Sequence, residues 1–223
     1  MHEVPESLTG ADGAVIPGTL VLGKPQSLVL VPDVFGLTEQ MRGVARRFAA
    51  EGFTSFAIDL LDGRTTSDPA IGFKNAQLLS WKAGMERIRA AVHALGTAGG
   101  KVGIAGWGFG GAVALAAAAH VPEIAGCVIW YGMPTPQQAN FARITCKVQG
   151  HFARFDQQIS NDRVDGLETK LAAAGVSAEL HRYHSEHFFF DETRKVAHSM
   201  SNTELSFRRA VPFLRMQLTG SYT

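Results

Sequence analysis

Four positions in this chain combine residue types and surroundings that point to chemistry on a carbonyl compound: Asp33, Gly108, Asp156 and His187. A histidine exchanges a proton near neutral pH, and a carboxylate on its other ring nitrogen fixes its tautomer and orientation. The acid and the base fall in two runs, Gly150-His151-Phe152-Ala153-Arg154-Phe155-Asp156 and Tyr183-His184-Ser185-Glu186-His187-Phe188-Phe189-Phe190. Residues 101–111 read as a buried strand, a glycine turn and the start of an Ala-rich helix. That is the frame of a nucleophile elbow, G-x-Nuc-x-G, in which the central side chain caps a sharp strand-to-helix turn. Here the frame is intact and its central residue, Gly108, has no side chain. Along the chain the order is vacant nucleophile position, acid, histidine. Asp33, after the apolar run 28–32, is a spare carboxylate in the same setting. The backbone N–H groups of Val34 and Phe109 are the expected oxyanion donors. Such donors do not depend on side-chain identity, so they survive loss of the nucleophile.

The elements that must position these residues follow from hydrophobic patterning. Strands are expected over 18–22, 27–32, 54–60, 102–105, 124–130, 144–148 and 178–183, and helices over 39–52, 71–95, 110–120, 163–174 and 203–217. Strands alternating with helices predict an α/β fold, a mostly parallel sheet with helices on both faces. Ligands in such sheets sit at the carboxyl ends of the strands. The 223 residues suit one domain over 1–223. A small-molecule pocket is expected around Asp33, Val34, Gly108, Phe109, Asp156 and His187, walled by Phe35, Trp107 and Phe188. His151 and His184 are read as surface or loop residues, and Arg194 as a member of a surface ion pair.

The triad order is that of α/β-hydrolases, and the chain resembles one branch of them, the dienelactone hydrolase family. The resemblance rests on Val31-Pro32-Asp33-Val34-Phe35-Gly36-Leu37, Ala57-Ile58-Asp59-Leu60, Gly106-Trp107-Gly108-Phe109-Gly110-Gly111, the run from Gly150 to Asp156, and His187-Phe188-Phe189-Phe190-Asp191-Glu192-Thr193-Arg194. These occur in family order over nearly the whole chain. The resemblance implies an α/β-hydrolase fold with a Cys-Asp-His triad, its cysteine at 108, its acid at Asp156 and its base at His187. It also implies an acid, usually Glu, at position 33 against the resting thiol. Three departures stand out: Gly108 removes the nucleophile, Asp33 is one methylene shorter than Glu, and Ser185-Glu186 replaces small residues before His187. Dienelactone-specific members carry an arginine four residues after the histidine; Asp191 stands there, so a dienelactone is not the expected substrate.

Composition removes several function classes. With 21 basic and 20 acidic residues and a formal charge of +1, no basic face marks a nucleic-acid partner. No run has the apolar length of a membrane span. Residues 1–13 are polar and acidic without the apolar core of a secretory signal, so a cytoplasmic location is expected. Cys127 and Cys146 sit in apolar runs and read as buried, reduced thiols. No metal-ligand spacing occurs, and neither a metal nor an organic cofactor is implied. Gly106 to Gly111 also satisfies G-x-G-x-x-G, the dinucleotide fingerprint. Against a dinucleotide oxidoreductase, several strands precede the motif and no acid ends the next strand to hold a ribose hydroxyl.

The expected function is an atypical enzyme acting on a small lactone, ester or related carbonyl compound. His187-Asp156 is its general base, with no cysteine intermediate, either for hydrolysis by activated water or for cyclisation or isomerisation. Gly108 is expected to leave a polar void in which such a water sits. The alternatives are a non-catalytic pseudo-hydrolase that binds a small molecule or partner, and a thiol hydrolase inactivated by substitution at 108. Oligomeric state is not legible.

Overall fold

The computed structural model describes residues 3–4, 7–11, 13–97 and 99–221. Its strands are β1 (Glu3–Val4), β2 (Ser7–Thr9), β3 (Val15–Val21), β4 (Lys24–Val31), β5 (Phe53–Ile58), β6 (Val102–Trp107), β7 (Ile124–Trp130), β8 (Lys147–Ala153) and β9 (Ala178–Tyr183). Its helices are α1 (Glu39–Ala50), α2 (Pro69–Gln77), α3 (Trp81–Gly96), α4 (Phe109–His120), α5 (Asn161–Ala173) and α6 (Met200–Thr219). The strands order as β1-β3-β5-β4-β6-β7-β8-β9, with β2 paired on β3. From β5 to β9 every neighbouring pair is parallel. Only β1, β2 and β3 run antiparallel, at one edge. The mostly parallel sheet is therefore as expected, and the strand expected over 18–22 is β3, antiparallel at that edge; only its short partners β1 and β2 escaped hydrophobic patterning.

Period-two alternation divides the core. Val29 and Val31 of β4 face α3, α4 and α5 with Ile104, Ile88 and Leu115. Leu28 and Leu30 face α1 and α6 with Phe48, Trp107 and Leu214. The spacing of Met41, Val44, Ala45 and Phe48 gives α1 its buried stripe. α4 is apolar all round and is buried along nearly its whole length, as a helix between sheet and neighbours must be.

Two element expectations change, and the reading of one residue with them. The single helix over 71–95 is two helices. Asp68 caps the first, accepting from Ala70 and Ile71 with Pro69 at its first turn. Ser80 caps the second by accepting from Ala83. Two separate cap signals outweighed a continuous helical period. The strand expected at 144–148 begins at Lys147, because Phe141–Arg143 forms a 3-10 turn whose capping Asn140 accepts from Ala142. The strand then continues to Ala153, so His151 is not a loop or surface residue. It is wholly buried, stacked on Trp130, with Nδ1 bonded to the Tyr183 hydroxyl at 2.7 Å and Nε2 to Gln149 at 3.1 Å. Burial holds its imidazole neutral, well below the ordinary range. His184 is exposed, as expected.

Candidate active site

The candidate residues gather at the carboxyl ends of four parallel strands. Asp33 follows β4, Gly108 joins β6 to α4, Asp156 lies three residues beyond β8, and His187 lies in the loop after β9. His187 Nδ1 is 2.6 Å from Asp156 Oδ2. The Asp156 carboxylate is almost wholly buried, while the imidazole keeps about a tenth of its surface. Asp156 is itself fixed: its Oδ1 accepts from Gln158 N–H at 2.7 Å and Ile159 N–H at 2.9 Å. A carboxylate on Nδ1 selects the tautomer that leaves Nε2 free to accept a proton.

Two non-glycine residues in left-handed backbone flank this histidine, Tyr131 at φ 37° and Phe188 at φ 65°. The Tyr131 ring lies 5.0 Å and the Phe188 ring 4.3 Å from the imidazole, centroid to centroid. Such backbone costs ~1–3 kcal/mol per residue and persists where surrounding structure fixes it. Here Tyr131 N–H donates to the His151 carbonyl at 2.8 Å. Buried hydrophobic packing holds the other side: Phe189 lies within 5.4 Å of Tyr131, centroid to centroid.

Gly108 has φ 51° and ψ −117°, a conformation in which a glycine is least strained. The space beside it is not the void expected from the sequence. A Cβ built at 108 would lie 2.2 Å from Asp33 Oδ2, 2.3 Å from Oδ1 and 2.4 Å from Cγ. The Asp33 carboxylate therefore fills the room that a side chain at 108 would begin to occupy. Its Oδ1 accepts from Val34 N–H at 2.7 Å and Phe109 N–H at 2.9 Å. The two backbone donors picked out in the sequence do converge on one point, and an oxygen of the protein stands there. Oδ2 accepts no hydrogen bond among the described residues. Burial pushes the Asp33 carboxyl up from its ordinary 3.8 to about 6, against the lowering effect of the two N–H groups and of His187. Asp191 also raises it.

A cavity of about 20 Å³ adjoins this carboxylate, bordered by Asp33, Phe35, Trp107, Tyr131 and Asp191 among others; that is room for about one water. Trp107 borders it but is otherwise a core residue, stacked on Trp130 at 4.8 Å. Phe35 and Phe188 pack at 5.4 Å. Arg194 is not a plain surface ion pair. Its guanidinium lies 3.8 Å over the Phe35 ring, with Nε 3.6 Å from Asp191 and Nη2 donating to the Ser67 carbonyl. A larger hollow, about 770 Å³, lies between residues 133–141 and α5, bordered by Met133, Phe141, Arg163 and Lys170. It touches none of Asp33, Asp156 or His187, so its size says nothing of the chemistry.

Tyr131 escaped sequence reading, and Asp191 was read only as the residue standing in place of an arginine. Tyr131 had a usable signal, since it directly follows β7 at the same sheet edge as the other site residues. Its hydroxyl makes no hydrogen bond among the described residues. Burial, with Asp33, Asp191 and Asp156 nearby, holds its proton well above the ordinary range. The dinucleotide reading loses its anion site. The N-terminus of α4, where a pyrophosphate would sit, already donates to Asp33.

Comparison with known proteins agrees with this architecture. Protein usf of Aquifex pyrophilus is 24% identical over 207 residues, covering 86% of this chain and 88% of its own length. The solved structure m3DLH superposes with a TM-score of 0.82 at 22% identity, covering 98% of each chain. The dienelactone hydrolase-like promiscuous phosphotriesterase P91, from metagenomic libraries, gives 0.79 at 19% identity over 98% of this chain and 100% of its own. The model of the dienelactone hydrolase family matches residues 16–218, and the chain belongs to that family.

Proposed function

We propose that this protein is a hydrolytic enzyme that works without a cysteine intermediate. His187, oriented by Asp156, acts as general base on a water that attacks a small ester, lactone or related carbonyl compound. The observation that carries this reading is the 2.6 Å contact between His187 Nδ1 and the buried Asp156 carboxylate, beside a position with no side chain. A positioned general base contributes ~10²–10⁴-fold to rate. His187→Ala should therefore lower kcat/KM on an activated ester by ~10²–10⁴-fold with little change in Tm. Retained turnover refutes the reading.

One observation favours a second reading. Asp33 Oδ1 occupies the point where a substrate oxyanion would be stabilised, which suits a protein that binds a small molecule and does not turn it over. That reading expects a calorimetric binding signal and silence across ester and lactone panels. Gly108→Cys, assayed beside the glycine protein, separates the two further. Hydrolysis by the cysteine variant alone marks a frame silenced by the missing thiol. Turnover by the glycine protein excludes the binding-only reading.

A further inference from the structure

The Asp33 carboxylate has the geometry of a nucleophile rather than of a bystander. It lies within 2.4 Å of the Cβ position of residue 108, where the side chain of an elbow nucleophile starts. Its two oxygens are inequivalent. Oδ1 is held by two backbone N–H groups, and Oδ2 accepts nothing among the described residues. A carboxylate so held presents one oxygen for attack and keeps the other in a site built for negative charge.

The same arrangement selects the electrophile. Attack by a carboxylate on an ester carbonyl gives an intermediate that expels the carboxylate more readily than an alkoxide. The substrate oxyanion would also need the N–H groups that Oδ1 occupies. A saturated carbon bearing a leaving group makes neither demand, because no oxyanion forms on the substrate. We propose that Asp33 Oδ2 is a catalytic nucleophile toward such a carbon, with small alkyl halides and epoxides as the substrate class, for which the cavity of about 20 Å³ beside the carboxylate must widen.

The steps balance without a further reagent. In the first, an Oδ2 lone pair forms a C–O bond to the substrate carbon. The carbon–halogen bond breaks and halide leaves with its electron pair. With an epoxide, the ring C–O bond breaks and the alkoxide takes the proton of Tyr131, which borders the same cavity and is later reprotonated by solvent. In the second, His187 takes a proton from water, and the hydroxide adds to Cγ of the Asp33 ester. Negative charge gathers on Oδ1, where Val34 and Phe109 already donate. Collapse expels the product alkoxide, protonated by His187, and leaves Asp33 as a carboxylic acid with one oxygen from water; that acid gives its proton to solvent and the carboxylate returns. This scheme rests on the general-base reading of His187, used here for the second step.

The test uses the whole protein with 1-bromopropane and with propylene oxide as probes. Turnover in ¹⁸O-labelled water should place label in Asp33, read by mass spectrometry of its peptide, rising with the number of turnovers. His187→Asn should stop after the first step and carry one probe-derived alkyl group on the Asp33 peptide. Asp33→Asn should lose turnover and adduct together. No label and no adduct at Asp33 with either probe, or an adduct at another residue only, overturns the proposal. If an ester is then still turned over in a His187-dependent way with Asp33 unlabelled, the general-base reading stands and only the carboxylate nucleophile falls. If no substrate of either kind is turned over, both fall.

Discussion

Asp33→Asn separates what the buried carboxylate costs the fold from what it does for the site. The amide oxygen of the variant side chain can accept the same two N–H groups that Oδ1 accepts from Val34 and Phe109, and the amide carries no charge at any pH. Burial raises the carboxyl from 3.8 to about 6 in the folded protein. Below pH 3.8 it is protonated in both states and its ionisation contributes nothing. Between 3.8 and about 6 the unfolded chain loses this proton while the folded chain keeps it, so stability falls as pH rises. At ~1.4 kcal/mol per pH unit, the whole gap amounts to ~3 kcal/mol, fully expressed above about pH 7. The variant escapes that loss. Its stability advantage over the parent should grow by ~3 kcal/mol between about pH 4 and about pH 7.5, or roughly 6–12 °C in Tm for a chain of this size. Urea unfolding of both proteins across that range reads it directly, provided the denaturant slope is the same for the two. A difference in stability that does not change with pH refutes the reasoning, because the cost would then not lie in ionising Asp33.

A Cβ at 108 meets the Asp33 carboxylate and sits at φ 51°. Gly108→Ala should therefore cost ~1–3 kcal/mol. Part of that should vanish in an Asp33→Ala background, and strict additivity in the double-mutant cycle would show that the two positions do not compete for space. A Cβ at 110 would lie 2.1 Å from the Val31 carbonyl and 2.3 Å from that of Pro32, and backbone cannot yield as a side chain does. Gly110→Ala should cost more than ~4 kcal/mol, seen as loss of soluble protein or a collapsed unfolding midpoint; near-native stability contradicts the close approach of α4 to β4. Tyr183→Phe removes the partner of the buried His151 Nδ1 and should cost ~1–3 kcal/mol by denaturant unfolding, whereas an unchanged midpoint would show that the imidazole does not depend on that hydroxyl.

The ends of β4 and β6 were legible to within two residues because those central strands are apolar runs that stop abruptly, whereas β8, expected to end at 148, runs to Ala153. Val31 gives way to Pro32-Asp33 and Trp107 to Gly108. That punctuation placed Asp33 and Gly108 at the carboxyl ends of their strands, while Asp156 and His187 were picked out by their loop runs and by the order of the triad. Three things were not legible. Hydrophobic period alone ran α2 and α3 together, since the signal that separates them is one serine accepting one N–H. His151 read as a loop residue because a buried histidine in a strand is acceptable only when both ring nitrogens find partners, and Tyr183 lies 32 residues away. The direction of the Asp33 side chain was hidden for a related reason. It depends on two N–H groups, one from the next residue and one 76 residues on, and on the room left at 108.

Gly108 and Asp33 are thus two parts of one local arrangement. A side chain at 108 would have to adopt strained backbone and push the carboxylate off both donors, leaving two buried N–H groups in need of a new acceptor. With glycine there, the short Asp33 side chain reaches its own neighbour's N–H and that of Phe109 together, and neither of those two donors is orphaned. The arrangement also orders the possible chemistries. Any reaction that needs the oxyanion donors for its substrate must first expel a carboxylate, at a cost that falls as pH drops toward about 6 and the group takes up a proton. A reaction that uses the carboxylate itself needs it ionised where it stands, and so should gain as pH rises through the same range. The pH dependence of turnover therefore distinguishes the two uses of one site. An acid-side loss that Asp33→Glu shifts points to Asp33 as a reacting group. A rate that rises toward acid points to Asp33 as a plug that the substrate displaces.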